Sequence, residues 1–153
     1  MIDLQRRFLV VLALLATFAV GAAACDDDDD DDDSATEVAI RGIDFGFDGV
    51  PETLSAGTHR ITFANDGAEV HEVVIFKLPD GMTLEQALEL PEEESDALFY
   101  EGVIGVLFAR PGEQSAGTLI AELTSGNYGL LCFVENANGP HAFQGMLAQL
   151  GVE

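Results

Sequence analysis

The chain is predicted to be all-β: an antiparallel β-sandwich with one short helix in an insertion. Three observations predict it. Short runs that alternate apolar and polar residues recur from Thr36 onward, Gly-, Pro- and Asn-rich turn signals separate them, and no long segment carries a helical period.

Residues 36–40 and 43–47 are the first two alternating runs, punctuated by Gly42, Gly46 and Gly49-Val50-Pro51. Residues 57–63 form the next strand, with His59, Ile61 and Phe63 on one face, and the turn signal Asn65-Asp66-Gly67 ends it. In the strand at 70–78, His71, Val73 and Ile75 share one face, while Glu72, Val74, Phe76 and Leu78 share the other. The second face is too apolar to meet water, so the insertion at 79–111 is expected to cover it. Inside that insertion residues 83–90 read as a short helix: Thr83 can cap, Gln86 stands three residues on, Leu84, Ala87 and Leu88 make a stripe, and Pro91 ends it. Residues 92–96 are a surface charge cluster, and 102–108 fit either a loop or a strand. Beyond the turn Pro111-Gly112, residues 117–123 alternate with Leu119, Ala121 and Leu123 inward. Residues 127–133 follow, with Tyr128, Leu130 and Cys132 on one face, and 145–152 form the last strand.

Ahead of this domain, residues 1–24 have the make-up of an export signal: Arg6 and Arg7, an apolar run at 8–20, then small residues up to Ala24. Arg6-Arg7-Phe8-Leu9 weakly echoes a twin-arginine signal, one residue short in spacing. Cys25 after three alanines resembles a bacterial lipobox and is the expected site of lipidation. Eight aspartates at 26–33 repel one another, so residues 25–35 are expected to be a lipidated Cys and an extended tether, and 36–153 the folded domain. The protein is therefore expected outside the cytoplasm, anchored by lipid on the periplasmic or outer face of the cell membrane.

From Ser34 onward 19 acidic side chains face 4 basic ones (Arg41, Arg60, Lys77 and Arg110). Nucleic acid needs a basic face, so it is excluded as a partner. A cationic redox partner or a high-salt habitat are both compatible with such acidity. No Ser/His/Asp set, phosphate loop or motif-placed carboxylate pair occurs, so the chain is not expected to be an enzyme. If Cys25 is acylated, Cys132 has no disulfide partner, and an unpaired thiol on an exported protein points to metal ligation.

The chemistry converges on four residues. His71 stands alone upstream. Cys132, His141 and Met146 follow on one late segment, with eight residues between Cys132 and His141 and four between His141 and Met146. Singly, a strand Cys or a Met after Gly is ordinary core. Together they are the two imidazoles, thiolate and weak axial thioether of a type 1 copper site, a set that serves Cu(I) and Cu(II) alike. Zinc would accept the Cys and His residues, but Met is a poor zinc ligand.

Gly126-Asn127-Tyr128-Gly129-Leu130-Leu131-Cys132 resembles the Gly-x-Tyr-x-x-x-Cys approach to the thiolate in the plastocyanin/azurin family of cupredoxins. Phe63-x-Asn65-x-Gly67 before His71 resembles its strand leading to the first histidine, and Gly145-Met146 its axial end. The resemblance covers residues 36–153. It implies a Greek-key β-sandwich, one copper held by His71, Cys132, His141 and Met146, and one-electron transfer by a monomer. It also implies a redox-protein donor or acceptor, such as a basic cytochrome, docking on an apolar rim of Pro140, Ala142 and Phe143 around an exposed His141. The Cys-to-His loop is longer than in many single-domain members and resembles that of copper nitrite reductases, whose second domain this length cannot supply. Glu72 stands where the family often has Asn, and strand parity should turn it outward. His59 and Met82 are expected to be structural. A copper carrier or storage lipoprotein binding Cu(I) with the same ligands, a cupredoxin-fold interaction module, and an accessory subunit to a respiratory or nitrogen-oxide enzyme stay open as alternatives.

Overall fold

A computed structural model describes residues 35–153; the export signal, Cys25 and the aspartate tether expected for the preceding segment lie outside the described residues. Two sheets face each other. The first has the order β2 (Gly46–Asp48), β1 (Thr36–Ile43), β4 (Gly57–Asn65), β7 (Leu119–Leu123). The second has the order β3 (Thr53–Leu54), β11 (Leu147–Val152), β8 (Gly126–Leu131), β5 (His71–Lys77), β6 (Val103–Ala109). Strands β9 (Glu135–Asn136) and β10 (Gly139–Pro140) make a small hairpin between β8 and β11.

The expected sandwich is present, but its pairing is mixed. Strand β1 runs parallel to β4, and β3 parallel to β11. Alternation tells which residues face inward and is blind to strand direction, so it carries no sign of these two parallel pairings.

Inward residues follow the alternation. Val38 and Ile40, Ile61 and Phe63, Val73 and Ile75, Ala121 and Leu123, Tyr128 and Leu130 meet in the core between the sheets. His59 is buried with them, its Nε2 2.9 Å from the Ser55 carbonyl oxygen, a structural role. The Tyr128 hydroxyl donates to the Thr124 carbonyl at 2.8 Å and closes the turn into β8.

The outer face of β5 is covered as its composition requires. Phe76 and Leu78 join Leu131 and Ala142 in a second apolar cluster, sealed by Leu84 and Ala87 of helix α1 (Leu84–Leu88), with Met82, Leu88, Leu98 and Phe99 packed against it. The cap is the expected one: the Gln86 amide donates to Thr83 Oγ1 and the Gln86 side chain accepts from the Thr83 amide. The charge cluster at 92–96 opens a second helix, α2 (Glu92–Glu101), that the sequence does not announce. Its exposed Glu93, Glu94 and Asp96 mask the sparse inward contacts of Leu98 and Phe99. The undecided stretch after it is β6, an edge strand pairing with β5 through an irregularity at Ile75/Phe76. No helix among the described residues is long and apolar enough to cross a membrane.

Candidate metal centre

Three adjacent strands bring the four predicted ligands to one end of the sandwich. In the order β11-β8-β5 each strand is antiparallel to its neighbour, so the start of β5, the end of β8 and the start of β11 coincide. His71 opens β5, Cys132 follows β8 directly, and Met146 directly precedes β11. His141 opens a 3₁₀ turn (His141–Gln144) on the segment between Cys132 and Met146. That segment is tied to itself. The Cys132 amide donates to the Met146 carbonyl (3.2 Å), Ala142 to Cys132 (2.9 Å), Met146 to His141 (3.0 Å) and His141 to Val134 (2.9 Å). Gly145, at φ +114°, turns the chain out of the 3₁₀ turn in a conformation that side-chain-bearing residues rarely adopt.

All four side chains are 0% exposed. The Nδ1 atoms of His71 and His141 stand 3.1 Å apart, and Cys132 Sγ is 3.6 Å from His141 Nδ1. The ligand atoms of His71, Cys132 and His141 all lie within 4.8 Å of one another, a grouping that could hold a metal ion. Met146 comes near His71: a Cβ added at Gly42 would meet the Met146 methyl at 3.2 Å and His71 Cβ at 3.3 Å.

Each histidine spends its other nitrogen on a carboxylate. His71 Nε2 is 2.7 Å from Asp44 Oδ1, and His141 Nε2 is 3.1 Å from Glu69 Oε2. A carboxylate only accepts, so Nε2 carries a proton in both rings, and in the neutral ring Nδ1 is left as the acceptor. Two imidazole lone pairs facing each other beside a sulfur repel unless a cation lies between them. The donor set, two imidazoles and a thiol shielded from water, fits copper.

The surroundings are built for this. Phe45 packs edge-on against His141, ring centroids 4.7 Å apart. Asn65, 1% exposed, donates to the Glu69 and Ala109 carbonyls (2.8 and 3.0 Å) and accepts from the Gly67 amide (2.9 Å), which braces the loop leading into His71. The Ala68 amide donates to Asp44 Oδ2 at 2.8 Å; it is the leading cause holding the Asp44 carboxyl below its usual range, against the opposing effect of burial. Burial pushes the Cys132 thiol up, partly offset by the Glu72 and Val134 amides; the Glu72 amide is 3.5 Å from Sγ. Cys132 is a free thiol.

Glu72 is half-buried, and its charge adds to the upward push on the Cys132 thiol. Its carboxylate accepts from the Phe133 amide at 3.1 Å and so braces the end of the Cys132 strand. The expected apolar rim around an exposed His141 does not form. His141 is fully buried under Glu69 and Phe45, and Ala142 is 4% exposed and packed in the second cluster. Pro140 is half-buried, and only Phe143, at 80% exposure, projects from the surface. The 3₁₀ turn causes this by folding His141 and Ala142 inward together.

Asp44 and Glu69 were not singled out from sequence. Asp44 sits in a short β1–β2 connection and Glu69 among many acidic residues, and neither belongs to a motif.

A search of solved structures places two auracyanins among the similar proteins. Dithionite-reduced auracyanin from the photosynthetic bacterium Roseiflexus castenholzii is 22% identical over 78% of this chain and 98% of that one, with a TM-score of 0.54. Auracyanin B is 21% identical over 78% of this chain and 89% of that one, with a TM-score of 0.52. No protein-family model and no curated protein sequence matches. At this identity the likeness shows the fold, and the fold is the cupredoxin β-sandwich.

Proposed function

We propose that this protein binds one copper ion as a type 1 centre and passes single electrons between redox proteins outside the cytoplasm. One observation carries the proposal: two histidine Nδ1 atoms 3.1 Å apart, with a free thiol beside them, all sealed from water. His71, His141 and Cys132 would hold the metal, with the Met146 thioether as a weaker fourth donor. When bound, copper supplies a one-electron couple. This chain's residues supply rigidity: the hydrogen bonds from Cys132 to Met146 and across the His141 turn let the donors move little between oxidation states.

The protein is read as an electron carrier acting as a monomer, with no catalytic residues, in exchange with a redox protein such as a basic cytochrome. Lipidation at Cys25 would anchor it to the membrane. The N-terminal signal pattern supports an extracytoplasmic address. A Cu(I) carrier would use the same ligands, but handing a metal on needs accessible donors, and all four are fully buried.

The test is a Cu(II) titration of the purified protein followed by visible absorption and EPR, with Cys132→Ser alongside. An intense thiolate-to-copper band that the substitution abolishes is expected. A colourless protein with tight Cu(I) binding would move the assignment to the carrier.

A further inference from the structure

We propose that Asp44 and Glu69 are positioning residues: a pair of carboxylates that locks both histidines with Nδ1 inward and biases the bound copper toward Cu(II). The lock rests on geometry alone; the bias rests on the copper assignment above.

The pairing is built on both sides. His71 Nε2 meets Asp44 Oδ1 at 2.7 Å, and His141 Nε2 meets Glu69 Oε2 at 3.1 Å. Each carboxylate is itself held. Asp44 takes the Ala68 amide at 2.8 Å on its other oxygen. Glu69 takes the Asn136 side-chain amide on its two oxygens at 3.2 and 3.1 Å, and Asn136 in turn accepts from Gln144 Nε2 at 3.1 Å. One short loop therefore serves both rings: Ala68 orients the partner of His71, and its neighbour Glu69 is the partner of His141. Asn136 and Gln144 lie on the segment that carries His141, so the support closes on itself.

The consequences follow from charge and from tautomer. An imidazole that donates Nε2–H to an anion is a stronger donor at Nδ1, and its ring cannot turn without losing that bond. Two carboxylates and a thiolate around one metal stabilise the doubly charged ion more than the singly charged one. Removing one carboxylate charge while keeping the shape should therefore weaken Cu(II) binding more than Cu(I) binding. Covering His141 Nε2 also takes that ring edge out of contact with a partner.

The test uses the full chain and two readouts. In the metal-free protein, nitrogen-15 NMR of the imidazoles reports which nitrogen carries the proton. In the copper form, the potential reports the Cu(II)/Cu(I) preference. Wild type should show Nε2–H in both rings. Glu69→Gln keeps an acceptor and should leave the tautomer unchanged while shifting the preference about tenfold toward Cu(I), a rise of about 59 mV for one electron. Asp44→Asn should shift it the same way, and serves alone if Glu69→Gln does not fold. Glu69→Ala should let His141 populate both tautomers. An Nδ1–H ring in wild type, or unchanged potentials in both charge-neutral variants, would overturn the proposal. If wild type forms no thiolate–copper centre, the electron-transfer assignment falls and the bias falls with it; the NMR result then decides the lock.

Discussion

Gly67 lies against the polar edge of His71 so closely that a Cβ there would stand 2.6 Å from Nε2 and would also strike Asp44 Oδ1. A side chain at this position and the His71–Asp44 hydrogen bond exclude each other, because His71 is fully buried and close-packed interiors leave a side chain little room to shift.

Gly67→Ala is therefore expected to displace the His71 ring. Copper affinity should fall about 10–100-fold, the usual effect of losing an outer partner of a ligating histidine. The metal-free fold should lose roughly 1–3 kcal/mol from overpacking. Competitive chelation and a denaturant melt of the same preparation separate the two effects.

Met146→Leu tests the axial assignment with little change of volume. The substitution is expected to cost less than about 1.5 kcal/mol in the metal-free protein. The thiolate–copper band should persist, since the thiolate and both imidazoles are untouched. The potential should rise, because losing the weak axial donor disfavours Cu(II) more than Cu(I). An unchanged potential would remove Met146 from the ligand set.

Cys132 gives a pH dependence with a defined sign. Burial raises its pKa in the metal-free fold above the ordinary thiol value. Its contribution to stability is then fully present below the unfolded-state value of roughly 8.5 and is lost as pH rises toward the folded-state value. Metal-free protein should lose stability above about pH 9, and Cys132→Ser should not show that loss. Copper must displace the thiol proton, so apparent affinity should climb with pH. Proton release on copper addition, measured in weak buffer, checks this directly.

Asp44 works in the opposite direction. Its carboxyl lies below the usual value, led by the Ala68 hydrogen bond. The stability it contributes is present above the unfolded-state value of roughly 3.9 and is lost as pH falls below it. Asp44→Asn should flatten the acid limb of the stability curve.

Leu84→Ala probes the insertion separately from the metal. Leu84 is 3% exposed and packs with Phe76 and Ala87 under β5. The expected cost is about 2–5 kcal/mol, with the copper spectrum unchanged in whatever fraction folds. A changed spectrum would mean that the insertion couples to the site through Phe76 or Ala142.

The legible parts share a physical origin. The inward faces of β4, β5, β7 and β8 follow from alternation, because a strand turns successive side chains to opposite faces. The capping box at Thr83 and Gln86 is local chemistry within four residues. His71, Cys132, His141 and Met146 stood out because few residue types ligate soft metals and all four fell in one order and spacing. The illegible parts are those in which unrelated segments meet. Helix α2 was hidden because its polar face dominates its composition, and the parallel pairing of β1 with β4 because register carries no local signature.

By itself the sequence determined the sandwich class, the covered face of β5 and the four side chains brought to one end of the sandwich. Periodicity and side-chain chemistry are properties of single segments, so they survive without a fold. Only the tertiary structure decided that His141 is sealed rather than exposed, that Glu69 and Asp44 lie on the two ring nitrogens turned away from the site, and that Gly67 must lack a side chain. Those facts depend on distances between residues remote in the chain, such as the 3.1 Å from Glu69 to His141. Such distances exist only once the strands have packed.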